Sequence, residues 1–384
     1  MKRKEIIFSP RVAIFRSPAR KNKQMENKES QMTNEQTNQI TFKQNQMKYD
    51  QNIHQARPRK PAGILPRRLL TGLIGLLTVA IFIAGALAQD AGAFRKDLST
   101  KLQPGDIVYV DSGDAVHGGF VIKVNPLTGE KTVIASGGLL RMPFGVVIDA
   151  AGQLIVSDSE RLIRINPETG AQSLIADNSH GDLGWPCGLA MEHNESIVVA
   201  NLHTVVRVNL NSSHIQTVCA GGSLLYPLCV AVADNGDLIV LNMAFPAEIL
   251  RVSPNGAQTI IARGSLLNHP QAIAVQGDHI FVTDVVGSDG NFGIGRVIDV
   301  DARTGEQSVL AEGDYLCGPV GITVDEDGQL VVGDPYTINV ESPDLFDGGI
   351  IRINPVTHDQ ILVTRGEGAF VNPRGVAIVP NFNN

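Results

Sequence analysis

Short runs of alternating apolar and polar residues occur along most of the chain after residue 104, a pattern typical of β-strands. One run recurs with a proline at its start and a small residue two positions later. Its six copies are PFGVVID at Pro143, PCGLAME at Pro186, PLCVAVA at Pro227, PQAIAVQ at Pro270, PVGITVD at Pro319 and PRGVAIV at Pro373. Successive prolines are 43, 41, 43, 49 and 54 residues apart. Such self-similarity predicts a repeat architecture.

Each repeat predicts four antiparallel strands. After the proline run, a turn rich in Asp, Asn and Gly leads to a second apolar run, and a third and a short fourth run follow, as in QLIVSD, RLIRIN and QSLIA. Four-stranded units of this length are typical of β-propeller blades, which bury their faces against neighbouring blades.

The ends of the repeat region predict how the ring closes. The first repeat lacks a proline run and starts at its second strand, GDIVYVD from Gly105, whereas the chain ends with an unmatched proline run, PRGVAIV. We therefore predict an all-β domain over residues 104–380, a six-bladed β-propeller closed by the C-terminal strand. Because closure leaves no open sheet edge on the ring, we also expect a monomer.

The composition changes before the repeats. Residues 1–60 are rich in Gln, Asn, Lys and Arg and contain few apolar runs, so we predict a disordered polar leader. Residues 66–88 follow, and their uncharged stretch Leu69 to Ala88 would span about 30 Å as a helix, enough to cross a bilayer. We predict one hydrophobic helix here.

Two interpretations of residues 66–88 stay open. The helix is either a single transmembrane anchor, which makes the membrane a partner, or a signal peptide cleaved after Ala88, since Ala86-Leu87-Ala88 has the small-x-small form of a cleavage site. Positive residues before the helix place the following domain outside the cytoplasm. We expect a propeller that is membrane-anchored outside the cytoplasm, or secreted or periplasmic if cleaved.

The repeated pattern PxGφxφDxxGxLφVxD, followed by φφRφNPxTG (φ, apolar), resembles the NHL repeat. More loosely it is similar to the six-bladed SMP-30/gluconolactonase and streptogramin-lyase propellers. The resemblance covers residues 104–380 and implies a propeller that binds a partner, or one that supports metal-dependent chemistry. In SMP-30-like lactonases, carboxylates and an amide at the starts of the inner strands hold the metal. The matching residues here contain no carboxylate; they are Phe144, Cys187, Leu228, Gln271, Val320 and Arg374.

The composition limits the classes of partner and site that we expect. The net charge is −7, and the predicted propeller has no basic stripe, so we do not expect nucleic-acid binding. The four cysteines form no CxxC pair, and they indicate neither a zinc site nor a redox motif.

Strand order places the loops between second and third strands, and those between blades, on one side of the ring, which we call the top face. The tight turns share the other side, the bottom face. Every predicted second strand ends in a carboxylate or amide: Asp111, Asp158, Asn201, Asn242, Asp284 and Asp334. Because nearly every blade repeats this residue, one interpretation is that it caps the strand end, and the other is that it binds a ligand.

The long top-face loops of blades 1, 5 and 6 add an acidic rim above three of these strand ends. The predicted ligand-binding residues are Asp111, Asp114, Asp284, Asp289, Asp334 and Arg374. Hard cations take several oxygen ligands, so a divalent cation such as calcium is the one cofactor indicated. Its predicted ligands are Asp284, Asp289, Asp334 and Asp344. A solvated acidic rim without a ligand is the alternative.

Two further sets border the top face. His117, His180, His203 and His269 are candidates for a metal or a general base, although no metal-ligand spacing joins them. The apolar second residues of the proline runs predict either a plugged central channel or a shallow apolar mouth, with Arg374 as its one fixed charge. Met142, Trp185 and Tyr226 each precede a repeat proline, and they either edge such a mouth or pack between blades.

Two functions follow from these observations. The first is an extracytoplasmic binding or interaction module of the NHL type, with a protein, glycan or small molecule as partner across blades 5, 6 and 1. The alternative is a metal-dependent hydrolase or lyase, similar to a lactonase, on the same scaffold. The catalytic residues of such an enzyme are not indicated by any motif.

Overall fold

The computed structural model describes residues 100–114, 118–193, 195–286, 294–337, 348–366 and 372–382. The predicted leader (1–60) and the hydrophobic segment (66–88) lie outside these ranges. Within them, no helix is both long and apolar enough to span a membrane.

The described chain forms six four-stranded sheets, as predicted. Blade 1 contains β1 (Ile107–Asp114), β2 (Gly118–Val124), β3 (Lys131–Ser136) and β24 (Pro373–Ile378). Blade 2 contains β4 (Pro143–Ile148), β5 (Leu154–Asp158), β6 (Arg161–Ile165) and β7 (Gln172–Asp177). Blade 3 contains β8 (Pro186–His193), β9 (Ser196–Asn201), β10 (Thr204–Asn209) and β11 (Ile215–Ala220), preceded by a short 3-10 helix, Asn178–His180.

The remaining three blades follow the same order. Blade 4 contains β12 (Pro227–Val232), β13 (Leu238–Asn242), β14 (Glu248–Val252) and β15 (Gln258–Arg263). Blade 5 contains β16 (Pro270–Gln276), β17 (His279–Val286), β18 (Ile294–Asp301) and β19 (Gln307–Glu312). Blade 6 contains β20 (Gly321–Val324), β21 (Leu330–Asp334), β22 (Gly349–Ile353) and β23 (Gln360–Arg365). Here the inner strand begins two residues after Pro319, whereas the other five begin at their proline.

The hydrophobic core lies between adjacent blades rather than at the centre of the ring. Second strands such as Leu154–Asp158 and Leu330–Asp334 are buried along their whole length, because both faces of each sheet pack on a neighbour. Six buried apolar clusters of the described residues each join two adjacent blades. Three residues before each of five prolines, a buried leucine enters one cluster: Leu140, Leu183, Leu224, Leu267 and Leu316.

The C-terminal strand closes the ring, as predicted. β24 pairs antiparallel with β1, placing Tyr109 opposite Val376, and Val379 exchanges backbone hydrogen bonds of 2.9 Å with Gly105 and Asp106. At the outer edge, Gly129 of blade 1 packs on blade 6, where an added Cβ would lie 2.4 Å from the Val363 carbonyl oxygen. Blades 6 and 1 are therefore joined from the inner strand to the outer one.

Candidate functional site

The polar residue ending each second strand fixes the loop that enters its own blade. The Asp158 carboxylate accepts hydrogen bonds from the backbone N–H groups of Arg141 and Met142 at 2.7 and 3.0 Å. In blade 4, Asn242 Oδ1 accepts from Leu225 and Tyr226 at 2.8 and 3.0 Å. The donors are the two residues before the repeat proline.

The same contact recurs in the other four blades. In blade 5 Asp284 accepts from Asn268 and His269, and in blade 6 Asp334 accepts from Cys317 and Gly318. In blade 3 Asn201 accepts from Trp185 at 3.0 Å, and in blade 1 Asp111 accepts from Asn372 at 2.9 Å. Because six blades use this residue in one way, the structure supports the capping interpretation.

Burial dominates the electrostatics of these caps. It raises the pKa of Asp111 and of Asp334 to about 6, against the opposing effect of the backbone N–H donors. Burial also raises the pKa of Asp158 and Asp284, and in Asp284 the ion pair with Arg296 at 2.9 Å opposes the shift. All four carboxylates are fully buried and accept hydrogen bonds from the protein's own backbone N–H groups. Among the described residues, Asp158 Oδ1 has no hydrogen-bond partner.

The predicted cation site is only partly within the described residues. Asp284 and Asp334 cap different blades, while Asp289 and Asp344 lie outside the described ranges. Asp114 ends β1, and its side chain is likewise not described. No group of three or more His, Cys, Asp or Glu side chains in the described chain is arranged to hold a metal. Calcium binding therefore remains a prediction.

The described histidines of the top face have separate, local partners. His203 Nδ1 lies 2.8 Å from the Leu225 carbonyl oxygen, and its ring packs 4.9 Å from Tyr226. His180 Nδ1 lies 3.0 Å from Ser179 Oγ, while the His269 backbone N–H is bound by Asp284. His117 lies outside the described ranges. The structure gives no sign that the described three share a ligand.

The blades differ at the second residue of each proline run, at the top-face end of the inner strands. In a closed propeller this end of the inner strands borders the mouth of the central channel. All six residues are partly exposed: Phe144, Cys187, Leu228, Gln271, Val320 and Arg374. The following position is glycine in four blades because neighbouring inner strands touch there. A Cβ at Gly375 would lie 2.6 Å from the Gly145 Cα.

This close approach of β24 and β4 brings Arg374 and Phe144 side by side. The guanidinium lies over the Phe144 ring, 5.5 Å from its centroid. Trp185, held by its backbone N–H to the Asn201 cap, places its ring 5.6 Å from Phe144 at 53°. We call Arg374, Phe144 and Trp185 the mouth cluster.

Arg374 is anchored by one hydrogen bond. Its Nε donates to Ser112 Oγ at 3.3 Å, and Asn372 Nδ2 donates to the same oxygen at 2.6 Å. Among the described residues, Arg374 forms no ion pair, and its terminal amino groups donate to no acceptor. Its side chain is therefore positioned by the protein, and within the described residues its outer donors are left without an acceptor.

The two cysteines near the mouth lie where the thiolate form is disfavoured. Cys187 and Cys229 lie on the inner strands β8 and β12, and both are free thiols. Burial, with a smaller contribution from Cys229, raises the pKa of Cys187 to about 12. A thiol with that pKa carries almost no thiolate at neutral pH.

Comparison with known proteins confirms the fold and adds no family. No protein-family model matches the chain, and neither does any curated protein. A solved chain from the nidogen/laminin complex has a TM-score of 0.56 and 15% identity, covering 71% of this chain and 97% of that one. Virginiamycin B lyase from Staphylococcus aureus has a TM-score of 0.41 and 16% identity, covering 57% of this chain and 69% of the lyase.

The fold thus defines a six-bladed β-propeller, a class that includes both binding proteins and enzymes. The NHL or SMP-30 subtype stays a resemblance of sequence pattern. Sequence reasoning found Arg374 and Trp185 separately but missed that Phe144 joins them and that Ser112 and Asn372 orient the arginine. Ser112 could have been predicted as a neighbour of Arg374 from the expected pairing of β24 with β1. This pairing places the residue after Asp111 beside the start of β24.

Proposed function

We propose that this protein is a binding propeller outside the cytoplasm, and that it engages its ligand at the channel mouth on the top face. The mouth cluster carries the proposal, since it combines two accessible rings with a positioned charge at positions where the blades differ. The six repeated polar residues are used as caps and leave the mouth as the distinctive surface. Ligand sites in proteins commonly combine apolar and aromatic side chains with a few fixed polar groups, as this cluster does.

The location and the ligand class of this proposal come from two further observations. The extracytoplasmic position comes from the charge pattern around residues 66–88. A chain of similar fold is part of a nidogen/laminin complex, so protein binding is among the uses of this scaffold. A protein, a glycan and a small molecule all remain candidate ligands, and the mouth rather than the acidic sector of blades 5, 6 and 1 is the surface we favour.

The direct test screens the full chain, in a neutral detergent, against arrays of peptides, glycans and small molecules. We compare it with Trp185→Ala and with Leu127→Ala, which changes a 91% exposed residue in the β2–β3 turn on the bottom face. We expect ligands bound by the wild type and Leu127→Ala to be lost by Trp185→Ala, with all three melting temperatures within a few degrees.

Ligands that bind Trp185→Ala as well as wild type would contradict a site at the mouth. The enzyme alternative is tested on the same protein, purified without a chelator, by metal analysis and by assay of lactone hydrolysis. Bound calcium at a fixed stoichiometry, with lactone turnover that chelation abolishes, would replace the binding proposal with a metal-dependent hydrolase.

A further inference from the structure

Arg374 is the one charged side chain among six equivalent positions at the mouth. The others are aromatic, aliphatic, thiol or amide: Phe144, Cys187, Leu228, Gln271 and Val320. A position that is mainly apolar around the ring has therefore become basic on the strand that closes it. The exception calls for a reason other than blade architecture.

Three of the third-strand arginines, in contrast, have a carboxylate partner in their own blade, whereas Arg164 of blade 2 donates to the Leu210 carbonyl oxygen of blade 3. Arg207 pairs with Glu192, Arg251 lies 3.7 Å from Asp237, and Arg352 lies 3.3 Å from Asp325. Arg374 has no such partner within the described chain. Taking a charge partly out of water without a counter-ion is costly, so a partly buried unpaired arginine favours binding of an anion.

The nearest acidic influence does not satisfy the guanidinium. Arg374 lowers the pKa of Asp111, an effect smaller than the opposing effect of burial on that carboxyl. The two Asp111 oxygens accept from the N–H groups of Gly113 and Asn372, at 2.8 and 2.9 Å. Asp111 is therefore committed to the cap and forms no ion pair with Arg374.

The geometry indicates which anion fits. The guanidinium carbon lies 5.5 Å from the Phe144 centroid and Nε donates to Ser112, so the two terminal amino groups are left without an acceptor among the described residues. Two adjacent amino groups match a carboxylate in a bidentate contact. Phe144 and Trp185 offer ring surface to an apolar group beside that carboxylate. A phosphate dianion would bring a second charge for which the mouth cluster has no partner, and the chain's net charge of −7 further disfavours it.

We propose that the mouth binds a carboxylate attached to an apolar or aromatic group, with Arg374 as its charge partner and Phe144 and Trp185 as its wall. This inference rests on the proposed function. Two sources share the chemistry, a free aromatic acid and an acidic residue next to an aromatic one in a peptide.

The chain supplies its own probe, because Trp185 is its single tryptophan. Fluorescence excited at about 295 nm therefore reports the mouth directly. The full chain is titrated with benzoate, with neutral benzamide and with cationic benzylamine. A parallel arm uses N-acetyl-Phe-Asp-amide and its Asn counterpart.

Three variants separate charge from shape and from folding. Arg374→Gln removes the charge and keeps a polar side chain. Arg374→Lys keeps the charge but loses the planar guanidinium with its two amino groups. Arg303→Gln makes the same charge change in the β18–β19 turn on the bottom face, where Arg303 pairs with Asp278 and Asp301. Melting curves verify that each variant is folded.

We expect benzoate or the Asp peptide to change Trp185 fluorescence saturably and to bind at least ~10-fold more tightly than its neutral counterpart. Arg374→Gln should abolish that preference, Arg374→Lys should retain part of it, and Arg303→Gln should match wild type. Which of the two arms responds more strongly identifies the source.

Equal affinity for charged and neutral probes, or an unchanged preference in Arg374→Gln, would overturn the inference. If binding of the array ligands still depended on Trp185 in that case, the proposed binding site at the mouth would be retained. Only the proposal that it recognises a carboxylate would be rejected. If binding of neither the probes nor the array ligands changed in the mouth-cluster variants, the proposed function would be rejected as well.

Discussion

Single side chains in this propeller hold whole loops. Asn242 is fully buried, accepts two backbone N–H groups before Pro227 and donates from Nδ2 to the Ser223 carbonyl oxygen at 2.8 Å. One amide thus satisfies three backbone groups, of which the Tyr226 N–H is buried and the other two are partly exposed. Loss of a partner in such a place costs more than the hydrogen bond itself, because the remaining groups stay buried and unpaired.

We predict that Asn242→Ala destabilises the protein by about 2 to 4 kcal/mol. Urea unfolding followed by circular dichroism measures the change. Asn235→Ala is the matched control, since Asn235 is exposed in the β12–β13 turn and bonds locally to Asp237. Equal stability of the two variants would show that the cap does not hold the loop.

The buried carboxylates make stability depend on pH with a defined sign. The folded pKa of Asp111 and Asp334 is about 6, above the ordinary value of 3.8. A raised folded pKa means that the folded state binds the proton more tightly than the unfolded state. Their contribution is complete below pH 3.8 and is lost as the pH rises through 6.

We therefore expect the melting temperature to rise as the pH is lowered from 7.5 to 5. Asp334→Asn, which adopts the residue found in blades 3 and 4, should flatten this dependence. Asp327→Asn, at an exposed turn, should leave it unchanged. A melting temperature that falls between pH 7.5 and 5 in wild type, with the same slope in Asp334→Asn, would contradict the assignment.

At the scale of strands, the inner ring depends on close backbone contact. Gly321 is buried at the start of β20, and an added Cβ would lie 1.9 Å from the Arg374 carbonyl oxygen of β24. The obstacle is backbone, so no side-chain rotation relieves it. A similar close approach of β24 to β4, at Gly375 and Gly145, brings Arg374 beside Phe144.

We expect Gly321→Ala to destabilise the propeller by more than about 3 kcal/mol, because two inner strands must separate. Gly277→Ala provides the comparison, since its turn position has φ +57 with no atom within 4 Å of an added Cβ. It should cost only the local left-handed strain, about 1 to 2 kcal/mol. Thermal unfolding of both variants tests the difference, and a smaller loss at Gly321 would exclude the close contact.

The strands were predictable because proline, turn and alternating residues recur at each blade. Five inner strands start at their proline; in blade 6 the ladder starts at Gly321, a shift that the shared pattern did not contain. The caps were visible as repeated residues, but their donors were not, since the two residues before each proline vary. Hydrogen bonds from backbone N–H groups leave little trace in side-chain identity.

The mouth cluster was less predictable than the ring. Arg374 and Phe144 are 230 positions apart, and they meet only because the last strand returns to the first blade. Sequence repetition marked each as an exception without showing that they touch. The acidic loops posed a different problem, since Asp289 and Asp344 lie outside the described residues and their grouping stays a prediction.

For the whole molecule, ring closure by β24 is the claim on which the rest depends, because this strand carries Arg374 and supplies the Asn372 donor to Asp111. It also brings Val376 and Val379 into buried clusters shared with blades 6 and 2. Without it, β1 would present an unpaired edge to solvent and to other chains.

The decisive measurement is the thermal melt of a chain truncated after Asn372, followed by circular dichroism beside a control truncated after Pro380. The control keeps all of β24 and should melt like the full chain. We predict that truncation after Asn372 abolishes the cooperative transition and causes association through the open edge. A cooperative melt at the full-chain temperature, with the protein still monomeric, would contradict closure by the C-terminal strand.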